Sequence, residues 1–507
     1  MNTISSSAES HPRELQWDRA ALAKVFGYLD ATTLVNVQLA SKSFREIVKN
    51  DSVWESSFRN DFPYYAQRVT SRKQRRNKRV AWYSEYMDRA HREYCWRTGK
   101  LSKEAVVLNG HAGTVYAATF LDAPFRPGTI VTGAYLDTSS RGEIKMWLPS
   151  RGTTPSKVAN SLEDRSTSVQ VDTKEEVTKS GILSLYQLYG TPQIACTTFE
   201  SGVHIVRARE VVHEESMDER PSSSSGKRER EEDEDCLQRS FSVKNDVNSG
   251  GSTYSFYPVL ECLGQEAPCA KTFVDKNSRI LAIPSLDGAV RLYSLPEWIT
   301  NCSINVEEDG EEANQGKEAT LSPSAELYDD VELLVTENNT TSRVKRKPVA
   351  ALTMSEACDV MITGGNDMRV KVWDMQHNVI TSRMEGHSGW IWNVKPLDPF
   401  LNVAMSTSTD GFCRKWDTRT GTSVGQINVS AHGPGNIYPV TGVALRGNGW
   451  HMAVGSMDKS VYVLDCRMMK RLYTIGQHED RVCRAMMHED TLMTTGWDHS
   501  VRLWEFA

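Results

Sequence analysis

The sequence predicts a mainly β fold, a seven-bladed propeller, preceded by a small all-α module and a helical linker. Three observations predict it. An Asp is followed six residues on by a Trp at Asp367 and Trp373, Asp410 and Trp416, and Asp498 and Trp504, and the same interval joins Asp287 to Tyr293 and Asp458 to Leu464. Each of these Asp residues sits in a short polar turn between apolar, strand-like runs, and Asp367, Asp410, Asp458 and Asp498 succeed one another at intervals of 43, 48 and 40 residues. A period of about 40–45 residues carrying Gly-His and Trp-Asp pairs marks a four-stranded propeller blade. Ahead of these repeats, residues 13–62 show helical spacing instead of strand alternation.

In chain order, residues 1–12 are polar and Ser-rich, with no apolar core for a signal peptide, and read as a disordered N-terminus. Trp17, Ala21, Val25 and Leu29 then step by four, with Leu22 and Phe26 beside them, which gives one apolar stripe on a short helix. Asp30 to Thr33 is a polar break, and Leu34 and Val37 begin a second helical pattern. Ser43 and Glu46 read as a capping box, hydroxyl and carboxylate satisfying orphan amides reciprocally, ahead of Phe44, Ile47 and Val48. Val53, Trp54 and Phe58 stripe a fourth helix. Residues 63–100 form a basic and helical linker: seven cations fall within the twelve residues from Arg68 to Arg79, and VAWYSEYMDRAHREYCWRTGK follows.

Residues 101–507 hold the blades. Blades seven, six, five and four are anchored on Asp498, Asp458, Asp410 and Asp367, and blade three on Asp287. Blade two is degenerate, with Glu200 in the Asp place and Val206 in the Trp place. Gly110-His111 opens blade one, where a longer turn separates Asp137 from Trp147. The chain stops three residues after Trp504, which leaves the last blade three strands of its own. The strand-like run Glu104 to Leu108 is expected to supply the fourth, because an open blade edge exposes unpaired backbone donors and acceptors. Three polar, charged segments, at about 151–178, 210–253 and 301–343, read as disordered insertions, either tolerated or carrying partner motifs.

Composition narrows the chemistry. A net charge of −6 over 507 residues favours neither nucleic acid nor membrane, and no stretch approaches about 18 uninterrupted apolar residues. The ten cysteines are scattered without a Cys-x-x-Cys pair, the pattern of reduced thiols in a cytoplasmic or nuclear protein. No phosphate loop, metal-ligand spacing or catalytic motif appears, so no metal, no cofactor and no enzymatic activity is expected.

The helical module resembles an F-box. The family pattern of Leu-Pro, Phe-x-x-Leu, Leu, Ser-x-x-Phe-Arg and Leu-Trp finds Trp17-Asp18, Phe26 and Leu29, Leu34, Ser41 to Arg45, and Val53-Trp54. Trp17-Asp18 departs from Leu-Pro, although Asp is a good helix cap. With the Trp-Arg-x-Gly end of the linker and the repeats behind it, the chain resembles the F-box/WD-repeat family of ubiquitin-ligase substrate receptors. The resemblance implies a Skp-type adaptor and a cullin as partners, with Trp17, Val25, Phe26, Leu29 and Leu34 as adaptor contacts and a protein substrate on the propeller. It implies no chemical group from this chain, since holding reactants together raises their effective concentration.

Within the WD repeats the resemblance implies a structural tetrad, complete here only in blade five as His387, Ser408, Asp410 and Trp416, with Gly365 and Gly496 at the hydroxyl place of blades four and seven. It also implies a peptide-binding face lined by Tyr116, Asn366, Trp390, Trp392, Thr409, Met457, Arg481 and Trp497. That set is aromatic with one Arg, whereas phosphate readers gather several, so an apolar or aromatic anchor suits it better. The same residues could instead cap blades or lie under an insertion. Two further alternatives stand: an ordinary helical bundle packed against the ring, and a WD-repeat scaffold or RNA-associated protein. The basic run supports the latter, although it also reads as an import signal, a solvated helix face or a loop.

Overall fold

In the computed structural model the described residues are 19–29, 31–63, 81–101, 105–125, 128–136, 141–149, 181–199, 202–211, 253–263, 272–300, 319–328, 347–397, 401–429, 440–445 and 450–506, with gaps at 102–104 and at the single positions 276, 278, 356, 477 and 489, and with short pieces at 65–66, 69–70, 162–164 and 169–170. They fall into two compact units, divided after Lys100.

The first unit is helical: α1 (Arg19–Phe26), α2 (Ala31–Ala40), α3 (Lys42–Val48), α4 (Asp51–Asp61) and α5 (Trp82–Thr98). Its core gathers Phe26, Leu34, Ile47, Val48, Val53, Trp54 and Phe58 with Trp82 and Tyr86 of α5. The cap of α3 corrects the sequence reading. Ser41, in extended backbone, accepts the amide of Phe44 at 3.2 Å, while Ser43 lies inside the first turn. Asn50 caps α4 in the same way through the amide of Ser52. The end of α1 is satisfied from α4, where Ser57 donates to the Leu29 carbonyl at 2.8 Å and Asn60 to the Gly27 carbonyl at 3.1 Å. Asp51 accepts the Trp82 amide at 3.0 Å and Tyr86 donates to Asp61, which fastens α5 along α4.

The second unit is a seven-bladed β-propeller. Its blades span 114–164, 182–262, 273–328, 349–384, 391–428, 440–476 and, for blade seven, 482–505 with Val106–Leu108. Closure follows expectation: Val106, Val107 and Leu108 pair antiparallel with Leu503, Arg502 and Val501. Two segments expected to stay outside the ring enter it. Ala325–Tyr328, inside 301–343, is the outer strand of blade three, and Ala319–Leu321 adds a parallel fifth strand to blade two. Leu162–Asp164, inside 151–178, pairs with the third strand of blade one. Short apolar pieces within polar stretches suffice, because each joins an edge that already offers unpaired backbone groups.

Blades pack through their innermost strands. Gly133, Gly364 and Gly455 sit where a Cβ would come within 2.5–2.6 Å of Ile182, Ile391 and Val482, the first residues of the next blades' innermost strands. Directly after that first residue the strand register slips in blades two, four, five, six and seven, as between Ile391 and Asn393, and in blade one it slips after the second residue, Val115. A bulge re-aims the extra side chain. Tyr116 and Trp392 occupy two of these slips.

Candidate functional site

The polar cores of the blades come first, because they look most like chemistry. In blade five His387 Nδ1 lies 2.8 Å from Asp410 Oδ2, and His387 Nε2 lies 2.7 Å from Ser406 Oγ, which also accepts from Trp416 Nε1 at 2.7 Å. The tetrad hydroxyl is therefore Ser406, not Ser408. Ser408 accepts the amide of Asp410 at 3.2 Å and serves the turn. The hydroxyl that bridges His and Trp lies on the second strand, four residues before the Asp in blades five and seven, and two further blades have the full set. Blade seven has His478, Thr494, Asp498 and Trp504. Blade one has His111, Thr132, Glu143 and Trp147, with Glu143 on the strand supplying the carboxylate; Asp137 lies outside the described residues, as do Glu200 and His432, the residue at the His place of blade six.

In blades three, four and six a partner four residues after the Asp meets its carboxylate. Arg291 meets Asp287 at 2.6 Å, Lys371 meets Asp367 at 2.5 Å, and Tyr462 donates to Asp458 at 2.5 Å. Burial would raise the Asp410 carboxyl, but His387 and the amides of Phe412 and Ser388 outweigh it and hold the carboxyl below its ordinary range. Glu143 and Asp498 are lowered against burial in the same way, by His111 and His478 foremost. His387, Ser406 and Asp410 are all buried, with both imidazole nitrogens engaged, so no substrate reaches them. They are structural groups.

Two surfaces remain open. On the helical unit the predicted adaptor set divides. Leu34 is 0% exposed and Phe26 faces the same core, Leu29 packs against that core, and Trp17 lies outside the described residues. Val25 is 57% exposed. The exposed apolar residues that accompany it, Tyr28 at 82%, Leu39 at 74% and the half-open Val35, were not singled out from the sequence. Their signal was available: each falls off the stripe that fills the core.

In blades two, four, five and seven the residue before the turn-acid place is tied to the residue that precedes the innermost strand. Thr409 donates its amide to Trp390 O, Trp497 to Arg481 O, and Asn366 to Pro348 O, each at 2.9 Å, and Phe199 to Gly181 O at 3.1 Å. These pairings bring the predicted residues to one face. Tyr116 meets Trp497 at 6.3 Å between ring centroids and Phe199 at 4.9 Å, and Tyr135 meets Phe199 at 5.7 Å. Arg481 lies over the Trp497 ring at 4.7 Å. A cluster of four rings with one cation thus spans blades seven, one and two. Trp390 and Trp392, 6.4 Å apart, form a second group on blade five, where Thr409 Oγ1 accepts the Trp390 amide. Asn366 and Met457 are half-buried in the turns of blades four and six. Phe199 went unread because blade two is degenerate, where the place before Glu200 was the available clue, and Tyr135 because blade one's longer turn breaks the repeat.

Among the described residues no group of His, Cys, Asp and Glu could hold a metal, and no helix is long and apolar enough to cross a membrane. Burial pushes the thiols of Cys196 and Cys466 up to about 12, away from the reactive thiolate. The basic run 68–79 lies largely outside the described residues.

Comparison with known proteins agrees with this division. The F-box-like family matches residues 20–60, and the WD domain, G-beta repeat, matches 340–374, 378–417 and 469–505. A guanine nucleotide-binding protein subunit beta of Nicotiana tabacum is 31% identical over 158 residues, 29% of this chain and 41% of that protein. Nuclear distribution protein PAC1 of Arthroderma otae is 22% identical over 202 residues, 36% of this chain and 43% of that protein. The sterol regulatory element-binding protein cleavage-activating protein of Xenopus laevis is 25% identical over 248 residues, 48% of this chain and 17% of that protein. The chain thus spans less than half the length of these relatives.

Proposed function

We infer, from an F-box-like domain and WD repeats joined in one chain, which make this an F-box/WD-repeat protein, that it is the substrate-recognition subunit of an SCF-type ubiquitin ligase. That joining carries the reading. Val25, Tyr28, Val35 and Leu39 support it as an apolar surface left over once the helical core is filled, fit for a Skp-type adaptor and through it a cullin. The ring cluster of Tyr116, Tyr135, Phe199 and Trp497 supports a peptide substrate with an apolar or aromatic anchor, and Arg481 would face an acidic neighbour of that anchor. One Arg beside four rings favours a substrate that needs no phosphate, since phosphate readers converge several guanidinium groups. The role is positional: the complex holds a conjugating enzyme near substrate lysines, and this chain adds no reacting group.

Co-purification tests the reading. Tagged wild type is expected to retain adaptor and cullin, and a Tyr28→Asp, Leu39→Asp variant to lose both while keeping its circular dichroism. A Tyr116→Ala, Trp497→Ala variant is expected to keep adaptor and cullin but lose other partners. Absence of adaptor and cullin from the wild type would sink the reading.

A further inference from the structure

A Ser or Thr directly before Pro occurs at three places, Thr154, Thr191 and Ser322. Thr154 lies outside the described residues, and Thr191 is 1% exposed, its hydroxyl donating to the Leu188 carbonyl at 2.9 Å. Ser322 is exposed, and no hydrogen bond engages its hydroxyl among the described residues. From Thr320 to Ala325 exposed and half-buried residues alternate, so the chain runs extended with Thr320, Ser322 and Ser324 outward. Pro323 keeps Ser322 out of the helical region. Of the other two outward hydroxyls, that of Ser324 is engaged: its amide and its hydroxyl both donate to the Leu292 carbonyl, at 2.7 and 2.8 Å. Thr320 is followed by Leu321 and lacks the Pro.

Ser322 stands in a strap between two blades. Before it, Ala319–Leu321 is the parallel fifth strand of blade two, paired with Leu260, Glu261 and Cys262. The Leu263 amide donates to the Leu321 carbonyl at 2.8 Å, and the Leu321 side chain packs on the core shared by blades two and three. After it, Ala325–Tyr328 is the outer strand of blade three. Thr320, two residues before Ser322, lies opposite Glu261, which is half-buried and enters no ion pair among the described residues. A phosphoserine carries about −1.5 to −2 charges at neutral pH, and beside a carboxylate it disrupts by like-charge repulsion. Three residues of pairing are little to set against that.

We propose that Ser322 is a phosphorylation site for proline-directed protein kinases, and that its phosphate releases the strap Ala319–Leu321 from the edge of blade two. In the step, Ser322 Oγ bonds to the γ-phosphorus of ATP and the bond from that phosphorus to the β–γ bridging oxygen breaks. ADP leaves with the electron pair, and the kinase takes the hydroxyl proton. Release bares the backbone edge at Leu260–Cys262 and withdraws Leu321 from the core. The inference is independent of the ligase reading, because it needs only the strap.

The test incubates the full chain with ATP and, in turn, a mitogen-activated and a cyclin-dependent protein kinase, and locates phosphate by mass spectrometry. The wild type is expected to carry phosphate at Ser322 and none at Thr191. Pro323→Ala, which keeps the hydroxyl, should lose the modification. Hydrogen exchange then reads the strap. The Leu263 amide, held by the Leu321 carbonyl in the unmodified chain, should lose protection on phosphorylation, and Ser322→Glu should reproduce part of that loss. A wild type that takes no phosphate at Ser322 from either kinase overturns the site, and so does a Pro323→Ala variant modified as readily as the wild type. Phosphate at Ser322 that leaves Leu263 equally or better protected overturns the release.

Discussion

Ser406 and Ser408 are both fully buried in one strand of blade five, two residues apart, yet they hold different loads. Ser406 Oγ serves His387 Nε2 and Trp416 Nε1 at once, whereas Ser408 Oγ serves only the Asp410 amide. Removing the shared hydroxyl leaves two buried ring nitrogens without their partner, each costing about 1–3 kcal/mol. Ser406→Ala should therefore lower stability to chemical denaturant by clearly more than Ser408→Ala; equal losses would contradict the assignment. The tetrad carboxylates add a pH dependence with a definite sign. Asp410, Glu143 and Asp498 are lowered in the fold, so the unfolded chain binds protons first as pH falls. Their contribution is complete above the ordinary carboxylate range, near pH 4, and drains away as pH drops through the lowered values. The melting temperature of the wild type should fall on acidification from about pH 5, and Asp410→Asn, less stable at neutral pH, should fall less steeply. A parallel acid limb would reject this cause.

At the scale of elements, the repeats were legible and their exceptions were not. The six-residue interval from Asp to Trp, or to Leu464 in blade six, located blades four to seven because turn and strand lengths are fixed by the pairing of the second and third strands. The same rigidity hid the carboxylate of blade one, since Glu143 stands on the third strand opposite Ala134, outside the turn where the interval looks for it. The outer strand of blade three was invisible for another reason: Ala325–Tyr328 is four residues long and alternates across an edge, too short for periodicity to separate from an acidic insertion. The closing strand was legible because a blade lacking its fourth member names the vacancy. Its energetic weight is open to measurement. Leu108 is buried against Val501 and Leu503, and cutting it to Ala should cost about 2–5 kcal/mol, as for other core leucines. Removal of residues 1–108 should do worse, because the last native strand would present a bare edge to other molecules. Monomeric behaviour of that truncation in light scattering would refute closure by this strand.

At the scale of the molecule, the two units have separate cores, and separate cores imply separable stabilities. Trp54 is the residue on which to test this. It is 1% exposed, donates from Nε1 to the Val48 carbonyl at 2.8 Å, and meets the rings of Tyr83 and Tyr86 at 4.9 and 5.2 Å. It thus joins the end of α3, the body of α4 and the start of α5, and nothing in the propeller depends on it through these contacts. Trp54→Ala should cost the helical unit about 3–5 kcal/mol, comparable to the whole stability a domain of its size commands. Calorimetry of the full chain should then show the helical transition displaced or absent and the propeller transition unmoved. The functional consequence follows from the same separation: the variant should lose adaptor and cullin while keeping whatever the face of Tyr116 and Trp497 binds. A single transition that shifts as a whole would mean that the units fold as one body, and that recognition and recruitment are coupled through the chain and not merely carried on it.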